Sequence, residues 1–324
     1  MSSPAPRRSR GLLVALLALA LPLALVAGLV VWWQGGIGSL VGRETCVVTG
    51  PDGEVRLDHE QAANAATIAA VAHRRSLPAR AVTVGLATAM QESELYNISH
   101  GDHDSAGLFQ QRPSQGWGSF EEVTDPRYAA DRFFASLVAV DRWQHLPVTV
   151  AAQAVQRSAY PDAYQQHADE AKAISAALTG RAGASLTCTV RAESERVQKL
   201  GPTGLTPRAE RLRTAIESAY GPQSLGGFAP GGVTRPNPST HEEGRAIDVF
   251  FRPYQDAGNR RHGWALAHWL VANADQLDVG VIIYRDQIWS ARRSPEGWRD
   301  YVSPFGDPKD PVQRHLDHVH VEVV

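Results

Sequence analysis

The sequence predicts a multidomain protein: an N-terminal transmembrane helix, an all-α domain, and an α+β domain built on an antiparallel sheet. Three observations predict it. An uncharged run from Gly11 to Trp33 follows a basic N-terminus. Residues 46–188 carry apolar side chains at helical spacing, interrupted by polar loops. Beyond a stretch of small and polar residues, short β-branched and aromatic runs alternate with helical ones, a pattern expected of α+β folds.

The length of 324 residues suits two domains plus accessory segments. With 32 basic and 34 acidic residues the net charge is −2, so composition offers no electrostatic case for binding nucleic acid.

Taken in order, residues 1–10 form a cytoplasmic tail carrying Arg7, Arg8 and Arg10. Residues 11–33 are long enough to cross a bilayer, which takes roughly 20 apolar residues. Trp32 and Trp33 end the run, where aromatic rings favour the interface. The basic flank puts the N-terminus in the cytoplasm and the rest of the chain outside. A cleaved signal peptide is the alternative; it would have a shorter apolar core, and no clear Ala-x-Ala site follows the run. Residues 34–45 are a tether. Cys46 and Cys188 are the two cysteines, and in an exported chain they can form one disulfide closing residues 46–188; two buried thiols are the alternative.

Within that segment helices are expected at about Glu60–Arg75 and Pro78–Ser93. Ser76-Leu-Pro78 serves as a stop and restart between them. Further helices are expected at about Pro126–Trp143, Val148–Gln156 and Pro161–Leu178. Gly180 to Gly204 reads as a linker by composition, residues 189–204 as the linker between the domains, and residues 205–324 as the last domain. There the expected elements are helices at about Pro207–Tyr220 and Trp264–Ala274, and strands at Ala246–Phe251, Val279–Tyr284, Gln287–Ser290 and Val319–Val324.

Two constellations carry chemistry. The first is Glu92, at the end of an apolar helix and before a polar loop. A carboxyl partly buried there would have a raised pKa and suit a general acid. The second is Ser239-Thr-His-Glu-Glu-Gly-Arg-Ala-Ile-Asp248, read with Asp317-His-Val-His320. Asp248 interrupts an apolar strand, which is costly unless it is paired or metal-bound. His318 and His320 share one face of the last strand by its period of two. Mixed nitrogen and oxygen ligands with one position left open match a catalytic zinc site.

The residues around Glu92 resemble the lysozyme-like (SLT-like) lytic transglycosylases, in Ala89-Met-Gln-Glu-Ser93 and Gly107-Leu-Phe-Gln110. Phe109 stands where that family has Met, and Ala154-Val-Gln-Arg-Ser158 departs from the family's later Ala-Tyr-Asn-Ala-Gly segment. The resemblance implies a lysozyme-like helical fold and cleavage of MurNAc–GlcNAc bonds with Glu92 as general acid. Ser93, Gly107, Phe109 and Gln110 would line the glycan cleft. Asp102 or Asp104 is available as the second carboxylate of a hydrolase, and Trp117 and Tyr160 could stack on sugars or pack in the core.

Ser239, His241, Gly244, Ala246 and Asp248 match the Ser-x-His-x-x-Gly-x-Ala-x-Asp motif of the D-Ala-D-Ala metallopeptidases, within the lysostaphin/DD-peptidase/hedgehog (LAS) superfamily. Asp317, His318 and His320 resemble that group's closing motif. The resemblance implies Zn2+ held by His241, Asp248 and His320, with Asp317 as general base and His318 stabilising an oxyanion. Ser239 and Arg235 would contact substrate. The whole chain resembles bifunctional actinobacterial cell-wall hydrolases, implying peptidoglycan as substrate and partner and one helix in the membrane. Two other readings fit the same residues: a non-catalytic peptidoglycan-binding scaffold with a structural zinc site, and a protein whose C-terminal domain alone is catalytic.

Overall fold

A computed structural model describes residues 45–51, 53–191, 198–227, 239–304, 306–307 and 309–324. The expected tail, the anchor at 11–33 and Arg235 lie outside the described residues, as does nearly all of the expected tether. Among the described residues no helix is long and apolar enough to cross a membrane.

The chain begins with a hairpin, β1 (Cys46–Gly50) and β2 (Gly53–Leu57). Two helices follow, α1 (His59–Arg74) and α2 (Ala79–Ser93). Asp58 starts α1 by a reciprocal cap with Gln61, each side chain taking the other's backbone N–H. Short α3 (Phe120–Val123) precedes α4 (Pro126–Val138), α5 (Val148–Gln156) and α6 (Ala168–Leu178). The strand β3 (Ser185–Cys188) closes this half. The second half runs α7 (Pro207–Tyr220), β4 (Leu225–Gly226), β5 (Ala246–Phe250), α8 (Ala257–Ala272), β6 (Val279–Tyr284), β7 (Gln287–Ser290), β8 (Arg299–Asp300) and β9 (His318–Val323).

The first half is not all-α. A three-stranded antiparallel sheet, in the order β2-β1-β3, brings its two ends together. The strands are short, and β3 comes from a stretch that reads as linker because its partner β1 lies far away in sequence. Cys46 and Cys188 face each other across β1 and β3, with Cα atoms 3.9 Å apart, and form a disulfide. By chain entropy alone, closing a loop of this length stabilises the fold by up to about 5 kcal/mol.

Other boundaries moved as well: the expected helix Pro161–Leu178 is a 3-10 segment at Ala163–His167 followed by α6 from Ala168. The expected helix through Trp143 ends at Val138, where the chain enters turns with Arg142 at positive φ. The expected helix from Trp264 begins at Ala257, because Asp256 caps a first turn and a half too polar to show apolar periodicity.

The second sheet is antiparallel throughout, in the order β4-β5-β9-β6-β7-β8. One face carries Ile247, Val249, Val319, Val321 and Ile282, which join the apolar core with Leu266 and Leu270 of α8. The register fixes the other face. Asp248 of β5 pairs with His320 of β9, Phe250 with His318, and Ala246 with Glu322.

The two halves are joined by contact as well as by chain. Residues 44–324 form one compact unit with one apolar cluster running through both halves. Buried His268 of α8 donates from Nδ1 to the Ala177 carbonyl of α6 at 2.8 Å. Trp298 donates from Nε1 to the Leu186 carbonyl of β3 at 3.0 Å.

Candidate metal centre and a second acidic site

The centre forms where three segments meet. His241 comes from the turn before β5, Asp248 from the middle of β5, and His320 from β9. The turn is tied locally: Ser239 N–H donates to Glu242 Oε2 at 2.8 Å, and Glu242 N–H returns a bond to Ser239 Oγ at 3.4 Å. Gly244 closes it with φ +67°, where an added Cβ would lie 2.3 Å from the Gly204 carbonyl oxygen. Gly227 covers the other side; a Cβ there would come within 2.7 Å of His241 Cε1 and 2.8 Å of Asp248 Oδ2.

One ligand atom from each of His241, Asp248 and His320 lies within 4.8 Å of the others. Asp248 Oδ1 is 3.0 Å from His320 Nδ1 and 3.7 Å from His241 Nε2. Bonds of about 2.0–2.2 Å to a tetrahedral ion put ligands a little over 3 Å apart, the scale of the two Asp248 separations, so the three residues could hold a divalent cation. Electrostatics agree. Burial opposes charge on His320, yet hydrogen bonds to Asp248 and Glu322 outweigh it and hold the ring's pKa up at about 9. Burial likewise works against the Asp248 carboxylate, but the His320 hydrogen bond and the neighbouring histidines keep its pKa below the usual carboxylate value. A pocket that holds a proton between carboxylates favours a cation. The donor set suits zinc and other borderline metals alike, and does not choose among them.

Asp317 and His318 stand beside this cluster. Strand β9 begins at His318, so Asp317 is not bound by the strand's alternation and turns its Oδ1 to His318 Nδ1 at 2.8 Å. Its Oδ2 accepts from Arg252 Nε at 2.8 Å and from Nη2 at 2.7 Å. Burial would raise the Asp317 pKa, but the bonds from His318 and Arg252 bring it below the usual range. With both oxygens engaged, Asp317 is an orienting anion more than a ready proton acceptor. His318 keeps Nε2 toward the cluster, 3.7 Å from Asp248 Oδ1.

Three neighbours were missed in the sequence. Arg252 packs 4.0 Å over the Phe250 ring while bonding Asp317. His315 lies with its ring centroid 4.8 Å from that of His318, its buried Nδ1 without a protein partner. Burial, then the charges of His318 and His320, press its pKa down to about 3. Glu322 bonds His320, and its signal was readable: His318, His320 and Glu322 alternate through an otherwise apolar strand.

The acidic site in the helical half is built differently. Glu92 ends α2, and its Oε1 accepts from Tyr164 at 2.7 Å. Burial raises its pKa, partly offset by hydrogen bonds from Tyr164 and Gln156. No charged group figures among the causes of that shift. Gln156 also donates to the Phe109 carbonyl at 2.8 Å, and Ser93 Oγ donates to the Leu108 carbonyl at 2.8 Å. The three segments singled out in the sequence therefore meet at the end of α2.

Their side chains do not all face a cleft. Phe109 is fully buried and stacks on Phe133, so it is a core residue whose carbonyl alone serves the site. Ser93 is buried, with its hydroxyl spent on backbone. Gly107 donates to the Ile98 carbonyl at 2.7 Å, and Gln110 bonds the Gly107 carbonyl and Ser105. Asp104 is taken by Arg112 and Ser114, which hold its pKa far below normal, and Asp102 is 95% exposed. Neither appears among the partners of Glu92. Tyr160 is exposed, whereas Trp117 packs against the core.

Residues 201–315 match the family model described as VldE, C-terminal domain. The match takes in His241 and Asp248 and stops short of Asp317, His318 and His320. No curated protein matches the chain.

Proposed function

We propose that the chain is a membrane-anchored peptidoglycan hydrolase acting outside the cell, with a metal-dependent peptidase centre at His241, Asp248 and His320 and a glycan-cleaving centre at Glu92. The observation that carries the reading is the metal-sized cluster flanked by Asp317 and His318. A divalent cation held there, zinc in our reading, supplies Lewis-acid polarisation of a peptide carbonyl. His318 Nε2 is the protein atom best disposed to hold or pass a proton beside it, with Asp317 fixing the ring's tautomer and Arg252 fixing Asp317. This exchanges the emphasis that the family resemblance puts on the two residues.

At the other centre, Glu92 is a protonatable acid kept partly out of water, with Tyr164 steadying its carboxyl. Among the described residues no second carboxylate is coupled to Glu92, which favours lytic transglycosylase chemistry over hydrolysis. Glu92 would protonate the glycosidic oxygen, and the sugar's own 6-hydroxyl would then close on the anomeric carbon and return a proton to Glu92.

One observation favours the non-catalytic alternative. Both Asp317 oxygens are already engaged, as they would be in a structural site. Products from purified peptidoglycan separate the two. Cleaved stem or cross-link peptides that disappear with a chelator support the peptidase; bound metal without any cleavage supports the scaffold.

A further inference from the structure

We propose that Glu322, anchored by Thr240, is the positioning residue that sets the tautomer and orientation of His320 and so preforms the metal centre. The inference rests on reading His241, Asp248 and His320 as a metal site, and goes beyond it to what holds the ligands in place.

An imidazole binds metal through one nitrogen only when the other carries its proton, and that proton's partner decides which nitrogen is which. Here the two nitrogens of His320 have different neighbours. Nδ1 faces Asp248 Oδ1 at 3.0 Å, inside the cluster. Nε2 faces Glu322 Oε1 at 2.9 Å, away from it. A carboxylate at Nε2 takes the Nε2–H and leaves the Nδ1 lone pair for the cation.

The same Oε1 accepts from Thr240 Oγ1 at 3.0 Å. Thr240 is the residue before His241, so one carboxylate links the strand that supplies His320 to the turn that supplies His241. The period of two in β9 puts Glu322 on the ligand face, and the pairing of Ala246 with Glu322 sets it one row from Asp248 and His320.

Glu322 is mostly buried, its side chain 20% exposed. Such a carboxylate is costly unless paired. Arg245, the nearby cation, is occupied by Glu243 and the Val323 carbonyl. The direct partners of Glu322 are His320 and Thr240, both belonging to the centre. Removing the carboxylate leaves the His320 ring free to turn and cuts the direct link between β9 and Thr240, while the far end of the turn stays held where the Gly244 carbonyl accepts from Thr206 N–H at 2.8 Å.

The test is zinc affinity of the full chain, measured by competition with a chromophoric chelator, alongside thermal unfolding of the metal-free proteins. Glu322→Ala should weaken zinc binding on the order of 10–100-fold, the range seen when partners of this kind are lost. Glu322→Gln retains an acceptor oxygen and should recover most of that loss. Thr240→Val, which cuts only the link to the turn, should fall between wild type and Glu322→Ala, and it keeps the test open if Glu322→Ala does not fold. Glu322→Ala or Thr240→Val binding zinc as tightly as wild type overturns the proposal, as does Glu322→Gln no better than Glu322→Ala. A wild type that binds no zinc overturns the metal reading itself and this proposal with it.

Discussion

The two candidate centres differ in how their chemistry is made. At the sheet, strand register sets Asp248 opposite His320, with Glu322 bonded to the His320 ring, and the preceding turn brings in His241, whose buried Nδ1 has no protein partner among the described residues. At Glu92, a single carboxyl gains its character from burial, with Tyr164 and Gln156 as neutral neighbours. The first is a problem of alignment, and loss of one ligand should destroy it. The second is a problem of dielectric, and should respond in graded fashion to what surrounds the carboxyl. The shared core through α6, α8 and β3 keeps both on one body.

The sharpest break in that comparison comes from Asp248→Asn. It removes the charge that all three site histidines face, and should abolish both stoichiometric zinc binding and peptide release while glycan cleavage persists. Metal content by atomic spectroscopy, with the two cleavage assays in parallel, reads this directly. Glu92→Gln should do the converse: glycan cleavage falls on the order of 10²–10⁴-fold, the span expected for loss of a general acid, with zinc content and peptide release intact. Equal loss of both activities in either variant would show that the centres are not separable.

Stability tests the joint between the halves. His268 is fully buried, and desolvation lowers its pKa to about 4 from 6.5, only partly offset by its bond to the Ala177 carbonyl. The native state therefore binds fewer protons at this group than the unfolded chain does. Its contribution is complete above pH 6.5 and is lost as pH falls toward 4, by up to about 3 kcal/mol. Urea midpoints at pH 7.5 and pH 4 should differ less in a His268→Gln variant than in wild type. The smallest effect belongs to Tyr164→Phe. Its hydroxyl donates to the Glu92 carboxylate and holds that pKa down. Without it the pKa rises, and the alkaline limb of the glycan-cleavage profile should move to higher pH.

Much of this was legible because it is local. The helix Pro207–Tyr220 and the strands Val279–Tyr284 and Gln287–Ser290 match their expected bounds, since each is a run of residues whose pattern states its own period. Asp248 and His320 were legible because polar residues inside apolar strands call for partners, whereas His241, in the turn before β5, joined them through the resemblance to the metallopeptidase motif. The sheet β2-β1-β3 was not, because its pairing joins the two ends of a long segment. Phe109 was misread for a related reason: a motif names positions along the chain, while burial against Phe133 is decided by α4. Arg252 and His315 lie outside strands and reach the centre only through tertiary folding. Glu322 is marked by the alternation His-Val-His-Val-Glu, which puts it on the same strand face as His318 and His320.

The most direct test of the account is mass spectrometry of the fragments released from purified peptidoglycan by the full chain, with and without a zinc chelator. The account predicts two product classes: cleaved stem or cross-link peptides that vanish with the chelator, and anhydro-sugar ends that remain. A digest with neither class, from protein shown to hold its metal, would contradict it.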